Sequence, residues 1–140
     1  GDDDLRGGAG SDIIIGGGGE DRVAGGADRD LVIGGDGSDT IRGGDGDDIL
    51  IGGRTIYDAN DEALRSVLGA WNGGSGYAAR VTRVREGATR GGFRLDASTV
   101  LGDAGDADIV TGGAALDWFF IEPTDQVSDK DEATERVDLL

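Results

Sequence analysis

Large aliphatic residues recur at every ninth position along the first part of the chain: Leu5, Ile14, Val23, Val32, Ile41 and Leu50. Each stands in the middle of a three-residue stretch that follows a polar, glycine-rich turn. Alternate side chains of a strand face the same side. The pattern therefore predicts short strands whose central residue points into a core and whose two neighbours point outward. From Gly7 to Ile51 the blocks read GGAGSDIII, GGGGEDRVA, GGADRDLVI, GGDGSDTIR and GGDGDDILI, and the opening GDDDLR is the tail of an earlier block. The shared pattern is G-G-x-G-x-D-x-U-x, with U the apolar residue; Asp28 stands where a fourth-position glycine is expected. Two blocks make one coil with a strand in each of two sheets, so block n stacks on block n+2 at a strand spacing of about 4.8 Å.

The outward positions of alternate blocks differ. One sheet would show Ile13, Ile15, Leu31, Ile33, Ile49 and Ile51, the other Asp4, Arg6, Arg22, Ala24, Thr40 and Arg42. A stacked aliphatic face is rarely left open to water. It calls for a cover, either the chain's own later segment or a protein partner or second copy docking on the Ile13/Ile33/Ile51 face.

The nine-residue rhythm stops at Arg54. Leu64, Val67, Leu68 and Trp71 fall on one helical face, which predicts a helix over 60–71, capped by Asp58 or Asn60 and ended by Gly73-Gly74. A second helix is predicted after Ser75, with Tyr77, Val81 and Val84 on one face and Arg80, Arg83 and Arg85 on a solvated one. Strand-like pieces follow at Phe93–Leu95 and Thr99–Leu101. The repeat then returns in degraded form as DAGDADIVT, from Asp103, and GGAALDWFF, from Gly112. Residues 121–140 form an acidic tail closing on Val137-Asp138-Leu139-Leu140, read as a cap, a short helix or a frayed end.

Charge changes the picture. Acids outnumber bases 29 to 13, for a net charge of −16. This excludes nucleic acid and anionic membrane surfaces, which require cationic footprints, and no apolar run is long enough for a membrane helix. A chain this acidic and this poor in aromatic residues would stay disordered unless something offsets the charge. With no cysteine and no histidine, a metal would be held by oxygen alone, which suits calcium or magnesium. Stacking places the sixth-position aspartates in two ladders, Asp3, Asp21, Asp39 and Asp12, Asp30, Asp48, and the degraded blocks add Asp108 to the first and Asp117 to the second. Carboxylates so close resist ionising together without a cation between them. Calcium takes roughly 6–8 oxygens in a flexible shell and fits such a cage better than magnesium. The glycines let turn carbonyls turn inward, which nominates those of Gly8, Gly10, Gly17, Gly19, Gly26, Asp28, Gly35, Gly37, Gly44 and Gly46. Aspartate also favours turns for its own sake, but that preference does not put one at the same phase of every block.

The blocks of residues 1–53 resemble the RTX (hemolysin-type calcium-binding) nonapeptide repeats. The resemblance implies a mainly β protein, a parallel β-roll or β-solenoid with calcium between successive turns. The expected plan is a roll over 1–53, a small helical insert with short strands over 54–102, degenerate repeats completing the roll over 103–120, and a C-terminal capping segment over 121–140. About four to six calcium ions are expected, given the oxygen count each needs. The resemblance further implies a secreted or cell-surface bacterial protein, exported through a type I channel, with an export signal at the extreme C-terminus. On this reading the domain folds on meeting extracellular calcium and serves the secretion and stabilisation of a larger exported protein. The alternative is an adhesion module using the apolar sheet face or the helical insert. An enzyme is not expected. Histidine and cysteine are missing, no serine sits in a nucleophile elbow, and the paired carboxylates lie at metal-site phase.

Overall fold

The computed structural model describes residues 1–129 and 135–140. The middle of the acidic tail, residues 130–134, lies outside the described residues. Two parallel sheets of five strands face each other. The first is built from β1 (Asp4–Ala9), β3 (Arg22–Ala27), β5 (Thr40–Asp45), β9 (Ile109–Ala114) and β11 (Gln126–Ser128), in that order. The second contains β2 (Ile13–Gly18), β4 (Leu31–Asp36), β6 (Ile49–Ile51), β10 (Trp118–Ile121) and β12 (Arg136–Leu139). The chain is a β-roll, and its register is that of the repeat: Leu5 pairs with Val23, Val23 with Ile41, Ile14 with Val32 and Val32 with Leu50.

The full strands are six residues long rather than three, because the leading glycine pair of each following block continues the ladder, as in Gly8 opposite Gly26. Only glycine permits this. Gly26 has φ of 124°, and a Cβ there would run into the Gly8 carbonyl. Asp28 adopts φ of 75° at its fourth position, which aspartate tolerates better than most residues.

The narrow interior of the roll holds Val23, Val32, Ile41, Leu50, Val110 and Phe119, with Leu5, Ile14, Val127 and Val137 partly buried toward its ends. A second core lies on the outer face of the second sheet. There α1 (Asp61–Trp71) and α2 (Tyr77–Arg85) lay Leu64, Val67, Trp71 and Val84 over Leu31, Ile33, Ile49, Ile51, Trp118 and Phe120. Asn60 caps α1 by accepting the Ala63 N–H at 3.1 Å, and Asp61 and Glu62 complement the positive end of its dipole.

One alternative is decided and three expectations are corrected. The aliphatic face is covered by the chain's own insert and not by a partner: Ile33, Ile51 and Trp118 are fully buried and only Ile13 and Ile15 remain half-exposed, so the Ile13/Ile33/Ile51 face is not a free docking surface. Arg80 is not on a solvated face but buried, its guanidinium 4.7 Å over the Trp71 ring and ion-paired to Asp47. Residues 93–95 form no strand; Leu95 packs under α2 and donates its N–H to the Val84 carbonyl, and the short antiparallel pair is β7 (Arg54–Thr55) with β8 (Val100–Leu101). The tail is neither frayed nor helical where it is described. It supplies β11 and β12, which extend the sheets beyond residue 120.

Candidate metal centre

The sixth-position aspartates stand at the strand entries, and the roll's pairing strings them together. The Asp3 N–H donates to Asp21 Oδ1 at 2.7 Å, Asp21 N–H to Asp39 Oδ1 and Asp39 N–H to Asp108 Oδ1, both at 2.8 Å. On the other edge Asp12 donates to Asp30, Asp30 to Asp48 and Asp48 to Asp117 in the same way. The carbonyls of these residues accept strand N–H groups one coil on, as from Arg22 to Asp3 and from Ile49 to Asp30. Beyond the first rungs, Asp3 and Asp12, each carboxylate is thus fixed through one oxygen.

The other oxygen is left over. Oδ2 of Asp12, Asp21, Asp30, Asp39, Asp48, Asp108 and Asp117 is buried with no hydrogen-bond partner. Buried charged oxygens are rarely left so. Asp3, at the exposed end of its ladder, is not among them. Six of these oxygens face a hollow at the first glycine of their own block, and that of Asp108, whose block opens on Asp103, faces Gly52. A Cβ on Gly7 would lie 2.5 Å from Asp12 Oδ2 and 2.6 Å from the Gly25 carbonyl oxygen, and the same cradle recurs at Gly16, Gly25, Gly34 and Gly43. The carbonyls that share the hollow with the carboxylates are those of Gly25, Gly34, Gly43, Gly52 and Gly112, first-position residues that motif reasoning passed over. The second- and fourth-position carbonyls of Gly8, Gly17, Gly19, Gly26 and Asp28 point along the stack at the equivalent residue of the next coil. Periodicity alone cannot tell these directions apart.

Electrostatics follow from the burial. Desolvation, with repulsion along the ladder and only partial relief from the bonded N–H, pushes Asp30 and Asp39 up to about 6, Asp108 and Asp117 to about 7 and Asp48 to about 8. Among the described residues no basic side chain pairs with any of them, and no three acidic side chains form a ready cage. The donor set is therefore one or two carboxylate oxygens with backbone carbonyls at each level. That set fits a hard cation.

Asp108 and Asp117 sit in the ladders despite the degraded repeats around them. Two tail residues continue the rows: Asp125 Oδ1 accepts the Asp108 N–H at 3.0 Å and Glu135 Oε1 accepts the Asp117 N–H at 3.4 Å. Their spacing from the preceding rung, 17 and 18 residues, was the available signal, but no glycine pair accompanies it.

The insert is tied to this machinery. Asp47, beside Asp48, receives the Trp71 indole N–H on its carbonyl at 2.6 Å and the Arg80 guanidinium on its carboxylate, whose Oδ1 also accepts the Leu116 N–H at 3.0 Å. The Tyr77 hydroxyl donates to the Asp117 carbonyl at 2.6 Å.

Residues 1–32 and 25–54 match the model of the RTX calcium-binding nonapeptide repeat family, in four copies. No curated protein and no solved structure matches the chain. Residues 1–54 are thus RTX repeats, a family of structural calcium-binding modules rather than enzymes, and the fold they build is a calcium-binding β-roll.

Proposed function

We propose that this domain folds on binding extracellular calcium and so serves the export and stabilisation of a larger secreted bacterial protein. The ions would be held by Asp3, Asp12, Asp21, Asp30, Asp39 and Asp48, with Asp108 and Asp117 one coil on, together with glycine carbonyls of the turns. The observation that carries the reading is the row of buried, partnerless Oδ2 atoms, of which those of Asp12, Asp21, Asp30, Asp39 and Asp48 each stand beside a backbone carbonyl in a hollow that only glycine leaves open. A cation satisfies what water and protein leave unpaired. It also offsets a net charge of −16 that otherwise opposes compaction.

Binding energy to the folded state alone is folding energy. Extracellular calcium modules are tuned to about 10⁻⁴–10⁻³ M, so such a chain would remain open inside a calcium-poor cell and close outside. Far-UV circular dichroism of chelator-treated protein tests it. Calcium should produce a cooperative gain of β signal that magnesium does not. A spectrum already complete in chelator and indifferent to calcium would overturn the reading.

A further inference from the structure

Beyond the last matched repeat, the loop at 102–108 and the stretch at 121–125 link four carboxylates through a chain of backbone hydrogen bonds, and two of them, Asp108 and Asp125, meet at one point. Glu122 Oε2 accepts the N–H groups of Asp103 at 3.1 Å and Gly105 at 3.0 Å. The Glu122 N–H donates to Asp125 Oδ2 at 2.7 Å, and Asp125 Oδ1 takes the Asp108 N–H. The cluster is therefore linked through backbone donors, and no basic side chain pairs with it among the described residues.

One of its oxygens is buried and unpaired: Asp108 is 1% exposed and its Oδ2 has no partner, while the Asp103 carboxyl, 7% exposed, lies against that of Glu122. Asp108 Oδ2 is aimed at the space beside Gly52, 2.5 Å from where a Cβ would stand, and Asp125 Oδ2 faces the same point at 3.1 Å. Here two carboxylates line one hollow, where the cradles at Gly7, Gly16, Gly25, Gly34 and Gly43 hold one carboxylate and one carbonyl. Asp125 belongs to no repeat block, and neither does Glu122.

We propose that Asp108 and Asp125, with Glu122 and Asp103 behind them, form a further divalent-cation site that closes the C-terminal end of the roll and binds more tightly than the repeat cradles. The inference rests on the calcium reading above. More carboxylates around one hard cation raise its affinity. The ion would join the exit of the helical insert to the strand β11, fastening a segment that has no nonapeptide sequence to hold it.

The test is isothermal titration of chelator-stripped protein with calcium alone, comparing wild type with Asp103→Asn/Glu122→Gln. The amides keep an acceptor for each N–H and remove two charges. The tightest calcium step should weaken by about tenfold or more, as expected for a lower ligand charge, and amide protection of Gln126–Ser128 at limiting calcium should fall while that of β3 does not. The exposed helix variant Glu62→Gln should titrate like wild type. An Asp103→Asn/Glu122→Gln protein whose tightest step and β11 protection match wild type overturns the proposal. If that variant fails to reach the wild-type spectrum at saturating calcium, Glu122→Gln alone decides by the same two outcomes. A wild type that takes up no calcium at all defeats the calcium reading itself, a separate result.

Discussion

In the coils of residues 1–51 each ladder aspartate meets its neighbour 18 residues away, whereas Asp39 reaches Asp108 and Asp48 reaches Asp117 across 69, and Asp108 reaches Asp125 across 17. The backbone geometry is the same on both sides of the insertion; what supports it is not. At the start of the roll Leu5 and Ile14 are only partly buried, and little apolar surface is removed from water. After the insertion Trp118, Phe119 and Phe120 are almost wholly buried, Phe119 inside the roll and the other two under the helices. The opening coil must lean on its metal ligands. From Leu31 onward, and across the insertion to Phe120, the roll carries a conventional hydrophobic core beside them. One ladder can thus be held by ions at one end and by side-chain packing at the other.

Removing calcium should separate the two regions most sharply. In chelator, amide exchange should lose its protection throughout β1, β2 and β3, while α1, α2 and β10 keep a measurable part of theirs. Equal loss in both regions would mean that the roll is a single cooperative unit and that the helical core has no independence.

Truncation in the second core should have the next largest effect. Trp118→Ala at saturating calcium should cost about 3–5 kcal/mol, the usual range for emptying a buried aromatic site, whereas Leu5→Ala should cost about 1 kcal/mol, since its side chain is already half in water. Urea denaturation of the two variants checks the ratio. Similar losses would show that the first coil is packed more tightly than its burial indicates.

Arg80 joins the regions. Its guanidinium is the buried partner of Asp47, whose other oxygen spans to Leu116 in the coil after the insertion. Replacing it by methionine leaves the half-buried Asp47 carboxylate with Arg29 alone, 4.0 Å away, as counter-ion, and the loss should reach about 3 kcal/mol at most, the lower end for breaking a buried pair. Arg80→Lys should recover part of this. If Arg80→Met melts like wild type in urea, the helices are held by apolar contact alone.

The repeats were legible because nine-residue phase fixes the register, the two sheets and the aspartate rows at once. Helix α1 was legible too, from Leu64, Val67, Leu68 and Trp71 on one face and Asn60 at the cap. Arg80 was not: arginine on the far side of an amphipathic helix reads as solvated, and its burial depends on Asp47, 33 residues away. Strands β11 and β12 escaped notice because a strand added to an existing edge needs only backbone partners and an inward apolar residue, here Val127 and Val137. The hollows beside the first glycines were invisible for another reason. Every glycine of the motif looks alike in sequence, and only the folded backbone shows which carbonyl shares a space with which carboxylate.

The smallest effect, and the one that isolates the ladder charges, is that of acid on metal-free protein. Burial holds Asp30 and Asp39 near 6, Asp108 and Asp117 near 7 and Asp48 near 8, against an unfolded value of 3.8. A carboxyl raised in this way contributes stability that is complete below the unfolded value and is lost as pH rises through the folded one. Between pH 8 and pH 5 the chelated roll should therefore gain β structure as protons take up what calcium would otherwise neutralise. Asp47 and Asp138 do not oppose the trend. Burial works against their ionisation, but for Asp47 the Leu116 N–H and Arg80, and for Asp138 the Arg136 guanidinium, hold them below the usual carboxylate range, so both stay charged across this window. Calcium binding should show the reverse slope, weakening toward pH 5 because its ligands must first lose those protons. A β signal in chelator that is flat or falling from pH 8 to pH 5, followed by circular dichroism, would mean that the ladder carboxylates reach water in the metal-free chain. The first coils would then already be open, and calcium would have to build its hollows as it binds.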